Sequence, residues 1–449
     1  MATALDVDTG PDELANAPTV LVTADSHCGP RMVEDLRPYC PREHLDVFDA
    51  FVNDITPVRD WWRNSGMPNN LEPGHYDSAA RQRDLERDGV VGEVIFHFSF
   101  NGEMIPFVPT LAHSDAPSDL ALAAVGLRIY NRWLADFCND LPGRRAGLAY
   151  IPHWDIDASV KEIEWAAENG LRGVNFPAMR ENLVPYDEPV YEPLWDVCEH
   201  YDVTLTTHGG AVSPSCQTRE YLAMLEAGGP MNRRAIHRLI FAGIFSRHPG
   251  LKLAMTEQPG AWQLDVMREM DAVYAKCMMP NRGGVSETSK KGRKMDPVKW
   301  DGYAVNMLPQ EKLPDVPSEI FKQHVFTGGF IAQFEAATAL ELGYDHTMMW
   351  GSDYPHSEGS WTHPDTDLEE QSQVHRALHT TFQGLPTRAI RGMAGENAAR
   401  CYGLDIEVLR KVAAHVGAPT PAQLAEPPVG PSHGVAGTGH MAFRTTTWM

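Results

Sequence analysis

The stretch Trp350-Gly351-Ser352-Asp353-Tyr354-Pro355-His356-Ser357-Glu358-Gly359 decides how the rest of the chain is interpreted. The apolar segment Thr347–Trp350 is long enough for a buried strand. A carboxylate, an imidazole and a second carboxylate, at Asp353, His356 and Glu358, then crowd the turn that follows. Parallel α/β barrels build their active sites in this way, because the strand supplies rigidity and the loop after it supplies the chemistry. The stretch therefore predicts one edge of such a site.

Two earlier segments have the same design. Asp25 and His27 follow the apolar run Val20–Val22, and His208 follows Val203–Leu205. Along the chain, helical patterns alternate with short apolar segments, which is typical of a parallel sheet. Eight such segments predict an α/β fold of the (β/α)8 TIM barrel type. The predicted strands are Thr19–Ala24, Glu93–Phe98, Ala146–Ile151, Gly173–Phe176, Val203–Thr207, Leu251–Thr256, Val325–Thr327 and Thr347–Trp350.

We predict one barrel domain with additions at both ends. Residues 1–18 are a polar leader and residues 19–404 form the barrel. Residues 405–449 form a C-terminal helix and an irregular, flexible arm rich in Pro, Gly, Ala and Thr. Two insertions, at about 30–76 and 278–317, interrupt the alternation of strands and helices. We expect them to lie over the C-terminal mouth, where aromatic residues of the first insertion can wall the pocket.

Composition and charge exclude several classes of function. The formal charge of −22 gives a field that repels the phosphates of nucleic acids and anionic membrane surfaces. No run approaches the roughly 18 apolar residues of a membrane span, and the acidic N-terminus lacks the features of a signal peptide. The seven cysteines are scattered without a Cys-x-x-Cys pair, which is typical of a reducing compartment. We therefore expect a cytoplasmic protein with no nucleic-acid or membrane partner.

The polar residues that follow the first, fifth and eighth predicted strands indicate a metal site. Asp25 and His27 are two residues apart at a strand end, so both side chains project from one face and can share an ion. A carboxylate plus an imidazole suits divalent zinc, iron or manganese. Each residue alone has an ordinary alternative, because Asp25 can cap a helix and His208 can be a satisfied histidine under a loop. Their joint occurrence with Asp353 favours one divalent ion at the barrel mouth.

These motifs resemble the amidohydrolase superfamily, and within it the amidohydrolase-related branch that contains aminocarboxymuconate semialdehyde decarboxylase. The Thr-Ala-Asp-Ser-His segment at 23–27 is similar to the family's metal motif on the first strand. The similarity runs from about Val20 to Gly403, which covers the whole predicted barrel. Further similar segments are Gly170-Leu171-Arg172-Gly173-Val174, Pro193-Leu194-Trp195, Thr207-His208-Gly209-Gly210, Phe245-Ser246-Arg247-His248-Pro249 and Gly351-Ser352-Asp353-Tyr354-Pro355-His356.

The resemblance implies one catalytic metal held by Asp25, His27, His208 and Asp353. It also implies that Asp353 acts both as a ligand and as a proton shuttle. Binuclear members of the superfamily bridge two ions with a carboxylated lysine after the fourth strand, and residues 173–179 contain no lysine. The expected cofactor is therefore a single divalent ion of zinc, iron or manganese.

Two departures from the family pattern bear on the chemistry. The first motif is Asp-x-His, whereas most hydrolases have His-x-His and several decarboxylases have Glu-x-His. After the sixth strand, decarboxylating relatives carry a histidine thought to act as acid or base, and this chain has Glu257. Glu257 either carries the proton, with a pKa raised by burial, or orients His208 from behind. With Asp353 and His208 it completes the expected catalytic group.

Further polar residues are expected near the mouth. His97 and His153 end the second and third strands, and they either line the pocket or are buried structural histidines. His356 and Glu358 are expected to hydrogen-bond within the last loop and support Asp353.

We interpret the chain as a mononuclear metal-dependent hydrolase that attacks an amide, ester or thioester of an organic acid with metal-activated water. An alternative in the same site is a non-oxidative, metal-dependent decarboxylase of an unsaturated or aromatic carboxylic acid. A third interpretation, from another class, is a non-catalytic metal-containing scaffold. The expected partner is a small organic acid derivative, and the resemblance implies a homodimer.

Overall fold

Eight parallel strands form a barrel in sequential order, each hydrogen-bonded to the next. This computed structural model describes residues 11–65, 69–108, 119–178, 183–209, 233–258, 262–278, 313–356, 359–361 and 372–427. The strands are β1 (Leu21–Cys28), β2 (Val90–His97), β3 (Arg145–Tyr150), β4 (Gly173–Asn175), β5 (Thr204–His208), β6 (Leu253–Thr256), β7 (Val325–Gly329) and β8 (Met348–Trp350).

The barrel closes where the chain leaving β8 meets β1. The amide N–H of Asp353 donates to the backbone oxygen of Asp25 over 2.9 Å, and that of His27 donates to the oxygen of Tyr354 over 2.6 Å. Ser26 and Tyr354 form the corresponding parallel bridge. The prediction of a (β/α)8 barrel is therefore confirmed.

The first strand is longer than predicted. It runs from Leu21 to Cys28 instead of ending at Ala24, so Asp25 and His27 lie inside the strand and not after it. Its pairing with β2 becomes irregular just before Ser26 and then continues to the strand end. Charged residues usually end a buried strand, but here pairing with β2 extends the strand past them.

Helices connect the strands and cover the barrel. Several begin with an aspartate cap; for example, the side chain of Asp77 accepts a hydrogen bond from the amide of Ala80 over 2.8 Å. None of the described helices is long and apolar enough to cross a membrane. The helices are α1 (Pro11–Asn16), α2 (Leu45–Arg63), α3 (Ser78–Arg87), α4 (Leu120–Asn139), α5 (Ile156–Glu168), α6 (Glu192–His200), α7 (Arg234–Phe241), α8 (Ile244–Arg247), α9 (Trp262–Met278), α10 (Pro317–His324), α11 (Gln333–Leu342), α12 (Gln373–Phe382), α13 (Thr387–Arg391), α14 (Asn397–Tyr402), α15 (Ile406–Val416) and α16 (Pro421–Leu424).

The first predicted insertion is largely helical. It contains α2, which buries Phe48, Val52 and Ile55. Near the end of α2, the ring of Trp62 stacks on the ring of Phe100, which lies in the loop after β2. Most of the second predicted insertion and most of the C-terminal arm lie outside the described residues.

A buried charge network lies beside the carboxyl end of β1. Glu93 of β2 pairs with Arg81 of α3 over 2.7 Å and with Arg145 of β3 over 3.0 Å. Arg81 also donates to the backbone oxygen of His27 over 2.6 Å and to the hydroxyl of Ser26 over 2.8 Å. Burial opposes ionisation of Glu93, but the two arginines outweigh it and hold its pKa below the usual range. The network thus ties three elements to the segment that carries His27.

Replacing Glu93 by Gln should strongly destabilise the protein. The two buried guanidinium groups would lose their counter-charge, and breaking a buried ion pair in this way typically costs about 3–5 kcal/mol. A denaturant titration of the free energy of unfolding measures the effect. The matched control is Glu319→Gln, which breaks the half-exposed pair with Lys322 and should change stability by less than about 1 kcal/mol. Equal effects of the two substitutions would contradict a supporting role for the network.

Candidate metal centre

Asp25 and His27 lie next to each other inside the barrel mouth. Both are almost completely buried, with exposed fractions of 1% and 2%. His27 Nε2 is 3.3 Å from Asp25 Oδ1 and 3.4 Å from Asp353 Oδ1. The side chains predicted from the first and eighth strands are therefore brought together by the closure of the barrel.

The other nitrogen of His27 fixes one edge of its ring. Nδ1 lies 3.0 Å from the backbone oxygen of His97. A carbonyl oxygen only accepts hydrogen bonds, so Nδ1 carries the proton of this bond. Nε2 is thereby left facing the two carboxylates, which is how metal-binding histidines are commonly held.

His208 approaches the same point from the end of β5. Its Nε2 is 3.3 Å from Asp25 Oδ1, and its Nδ1 donates to the backbone oxygen of Gly209 over 2.8 Å. Glu257 Oε2 lies 3.3 Å from the same Nδ1. Glu257 thus sits behind His208, on the side away from Asp25, and its side chain is 28% exposed.

Asp353 is held by the chain reversal after β8. Its backbone has a left-handed φ of 57°, an uncommon conformation for a residue other than glycine. Asp353 Oδ1 is 2.9 Å from His356 Nδ1, and His356 Nε2 donates to the backbone oxygen of Phe98 over 2.9 Å. The structure thus places His356 beside Asp353, but the Nε2 hydrogen bond of His356 goes to the loop after β2 and not to a group within the last loop. Glu358 lies outside the described residues.

The electrostatics of the cluster follow from burial and close contact. Burial lowers the pKa of His27, but Asp25 and Asp353 outweigh it and raise that pKa to about 10. Burial raises the pKa of Asp25, and the two histidines more than reverse this, so its pKa lies well below the usual range. Asp353 differs, because burial together with the charge of Asp25 raises its pKa to about 6 despite His27. Burial also raises the pKa of Glu257 to about 7.

The side chains present fit a divalent cation. Asp25 Oδ2, His27 Nε2 and both carboxylate oxygens of Asp353 are buried and make no hydrogen bond within the part of the chain that the structure describes. Ligand atoms of Asp25, His27 and His208 lie within 4.8 Å of one another, as do those of His27, Asp353 and His356. Buried polar atoms are normally paired, so this set is arranged for an ion. Two carboxylates and two imidazoles suit zinc, iron or manganese.

The two other predicted histidines, His97 and His153, have different surroundings from each other. His97 is buried, its backbone oxygen contacts His27, and its ring packs edge-on against Tyr130 at 5.0 Å. His153 is half-buried beside the ring of Trp154, and burial lowers its pKa to about 4.

Sequence reasoning missed two groups around the site. From the sequence, Arg81 is expected to be an ordinary polar residue of an amphipathic helix. In the structure it is fully buried and donates to the backbone oxygen of His27. Phe98 and Phe100 follow β2 and pack against His356. The clustering of phenylalanines in the segment 96–100 is the signal that could have revealed them.

Comparisons with known proteins agree with the geometry. A family model described as Amidohydrolase matches residues 109–404. A gamma-resorcylate decarboxylase of Rhodococcus jostii is 28% identical over 166 residues, which span 33% of this chain and 48% of the relative's length. That alignment therefore covers about half of the relative.

Solved structures match over nearly their whole length. The 5-carboxyvanillate decarboxylase of Sphingomonas paucimobilis is 20% identical, with a TM-score of 0.58, covering 86% of this chain and 99% of the other. That of Novosphingobium aromaticivorans, complexed with manganese and 4-hydroxy-3-methoxy-5-nitrobenzoic acid, is 18% identical, with a TM-score of 0.56, covering 90% and 100%. At this identity the likeness shows the fold. The family model matches more than half of the chain, and the chain therefore belongs to this amidohydrolase family.

Proposed function

We propose that this protein is a metal-dependent, non-oxidative decarboxylase of hydroxylated aromatic carboxylic acids. The observation that carries the proposal is a pair of overlapping clusters that share His27. Ligand atoms lie within 4.8 Å of one another among Asp25, His27 and His208, and likewise among His27, Asp353 and His356. Several proteins that the chain resembles are decarboxylases, and structures of some of them contain manganese. They support the decarboxylase alternative over the hydrolase that the sequence favoured, and over the scaffold.

The substrate class is inferred from the relatives and from the charge of the site. The relatives' names describe acids with a hydroxyl next to the carboxylate on a benzene ring. Such a pair of oxygens can bind one cation from two sides. We infer that Asp25, His27, His208 and Asp353 hold one divalent ion, with manganese favoured because structures of relatives contain it. Bound there, the ion would hold the substrate's carboxylate and hydroxyl and draw electron density from them.

The protein's own residues must supply a proton to carbon. A proton adds to the ring carbon that bears the carboxylate, the carbon–carbon bond breaks, and its electron pair restores the aromatic ring as carbon dioxide leaves. The sum is an aromatic carboxylate plus a proton giving the arene and carbon dioxide. Glu257 is a suitable source of this proton, because burial raises the pKa of its carboxyl group to about 7. Asp353, which we propose as both a ligand and a proton shuttle, would pass the proton on.

The contacts around Glu257 support proton transfer better than orientation of the His208 ring. The Nδ1–H of His208 already donates to the Gly209 carbonyl over 2.8 Å, which is closer than the 3.3 Å to Glu257. The tautomer of His208 is therefore set without Glu257. The left-handed φ of Glu257, 53°, is also unusual for a side chain of its size. We propose that Glu257 carries a proton between the pocket and solvent.

Carbon dioxide release separates the candidate functions. The manganese-loaded protein should decarboxylate gamma-resorcylate or 5-carboxyvanillate and leave benzoate, which lacks the hydroxyl, unchanged. The Asp353→Asn variant should lose about 10²–10⁴-fold in turnover, because the proton donor is gone, while elemental analysis still finds most of the metal. Near-normal turnover in this variant would remove Asp353 from the mechanism. Cleavage of aryl esters without carbon dioxide release would instead restore the hydrolase interpretation.

The Glu257→Gln variant tests proton carriage. Turnover should fall about 10²-fold or more, since glutamine cannot transfer the proton, and the affinity for Mn²⁺ should change little. Titration calorimetry with Mn²⁺, beside steady-state assays, measures both quantities. A large loss of Mn²⁺ affinity would favour the orienting role towards His208 instead.

Binding of Mn²⁺ to the metal-free protein should strengthen as the pH rises. His27 has a raised pKa of about 10, so at neutral pH it must release a proton from Nε2 before it can bind an ion. Between pH 6.5 and 8.5 the dissociation constant should therefore fall about tenfold per pH unit. Titration calorimetry in buffers of different ionisation enthalpy counts the released protons. A His27→Ala, His208→Ala double variant should bind no Mn²⁺, whereas the exposed His346→Ala control should bind normally. A pH-independent dissociation constant would remove His27 Nε2 from the ligand set.

A further inference from the structure

We propose that Phe100 and Trp62 are positioning residues of the metal centre, and that they act on His27 through His356. The inference rests on the proposed function to the extent that it takes His27 as a metal ligand. It goes further by giving a task to the loop after β2 and to the end of α2. Neither segment contains one of the four proposed ligands.

Four rings form a continuous column from the surface to the centre. The indole of Trp62 stacks on Phe100 at 5.5 Å between ring centroids, with planes 19° apart. Phe100 covers one face of His356 at 4.0 Å and 30°. His356 in turn stacks on His27 at 4.0 Å and 18°. Phe98 braces the column from the side, edge-on to both Trp62 and Phe100 at 5.8 and 4.9 Å.

The column restricts a rotation of the His27 ring that its hydrogen bond allows. Its Nδ1 bond to the His97 oxygen fixes one atom, but the imidazole plane can still pivot about that bond. Contact with the face of His356 fixes the plane, and so fixes where Nε2 points. His356 cannot recede, because Phe100 covers its opposite face. Holding ligands in their binding geometry raises metal affinity, since less ordering is needed when the ion binds.

The backbone around the rings indicates that their position matters. Phe98 and Phe100 have left-handed φ values of 77° and 61°, which are unfavourable for large side chains. The loop is also pressed against α2, since a Cβ added to Gly102 would lie 2.9 Å from the backbone oxygen of Arg59. An unfavourable backbone persists only where surrounding contacts hold it. Here those contacts aim Phe100 at His356.

The column also connects α2 to the centre. The helix supplies Trp62, and Arg63 next to it pairs with the buried Glu103 of the same loop over 3.5 Å. The column of rings that ends at His27 therefore begins on a helix outside the barrel strands.

The test measures the affinity of the metal-stripped full chain for Mn²⁺ by titration calorimetry. Phe100→Leu keeps an apolar side chain but removes the ring, and we expect the dissociation constant to rise about 3–10-fold, below the roughly 10–100-fold typical of direct partners of metal ligands. The control is Phe107→Leu, in the same loop and also at a left-handed φ of 63°. The ring of Phe107 packs on Phe48 and Phe51 instead. The Phe107→Leu substitution should change the affinity for Mn²⁺ less than twofold. Thermal unfolding of the metal-free proteins should show that Phe100→Leu and Phe107→Leu destabilise the fold to a similar extent.

A double-mutant cycle identifies the route. In a His356→Leu background, Phe100→Leu should have no further effect on the dissociation constant, because the ring through which it acts is gone. Additive effects, or equal effects of the Phe100 and Phe107 substitutions, would overturn the column while leaving the metal centre intact. If the native chain itself binds no Mn²⁺, the proposed function fails and takes this inference with it.

Discussion

The closure of the barrel between β1 and the chain after β8 is the constraint on which the site depends. The backbone bonds that close it join Asp353 to Asp25 and His27 to Tyr354. The same residues therefore make the last connection of the sheet and supply three of the four proposed ligands. A shift of β1 by one residue would turn Asp25 and His27 to the opposite face and would also break these bonds. Fold and site are consequently specified by one register.

The charge of the cluster explains why buried polar atoms such as Asp25 Oδ2 make no hydrogen bond within the part of the chain that the structure describes. Two ionised carboxylates with two neutral imidazoles carry a charge of −2, which a divalent cation would balance. In the absence of the ion, a proton on His27 between Asp25 and Asp353 offsets part of that charge. Burying such groups opposes folding unless they are compensated, and strongly shifted pKa values in a cleft are typical of functional sites. Without a bound metal, this arrangement of charged groups would oppose folding.

The sequence pattern predicted the elements whose residues follow a simple periodicity. Buried strands are short and apolar, and residues predicted near strand ends, such as Asp25, His208 and Asp353, lie towards one rim because the carboxyl ends of parallel strands meet there. It could not place Arg81, because its burial depends on Glu93 and Arg145 from other strands. These contacts are fixed only by the packed structure.

The aromatic column shows a second kind of limit. Trp62 and Phe100 are 38 residues apart in the sequence. Their meeting depends on the course of α2 and on backbone conformations that are unusual for phenylalanine. No local rule predicts a left-handed phenylalanine. A propensity-based interpretation therefore fails there, as it often does where a site imposes its own geometry.

The aspartate in the first motif, where several decarboxylases have glutamate, also has a structural explanation. The neighbouring strand ends approach Asp25 unusually closely: a Cβ added to Gly351 would lie 2.6 Å from the Asp25 Cβ and 2.9 Å from the Cα of Gly329. With glycine at 351, the end of β8 can lie against Asp25, and the backbone oxygen of Asp25 can accept the amide of Asp353. In this position Asp25 Oδ1 lies 3.3 Å from both His27 Nε2 and His208 Nε2. The absence of a side chain at Gly351 therefore lets the strand end pack against Asp25 while the Asp25 carboxylate reaches both histidines.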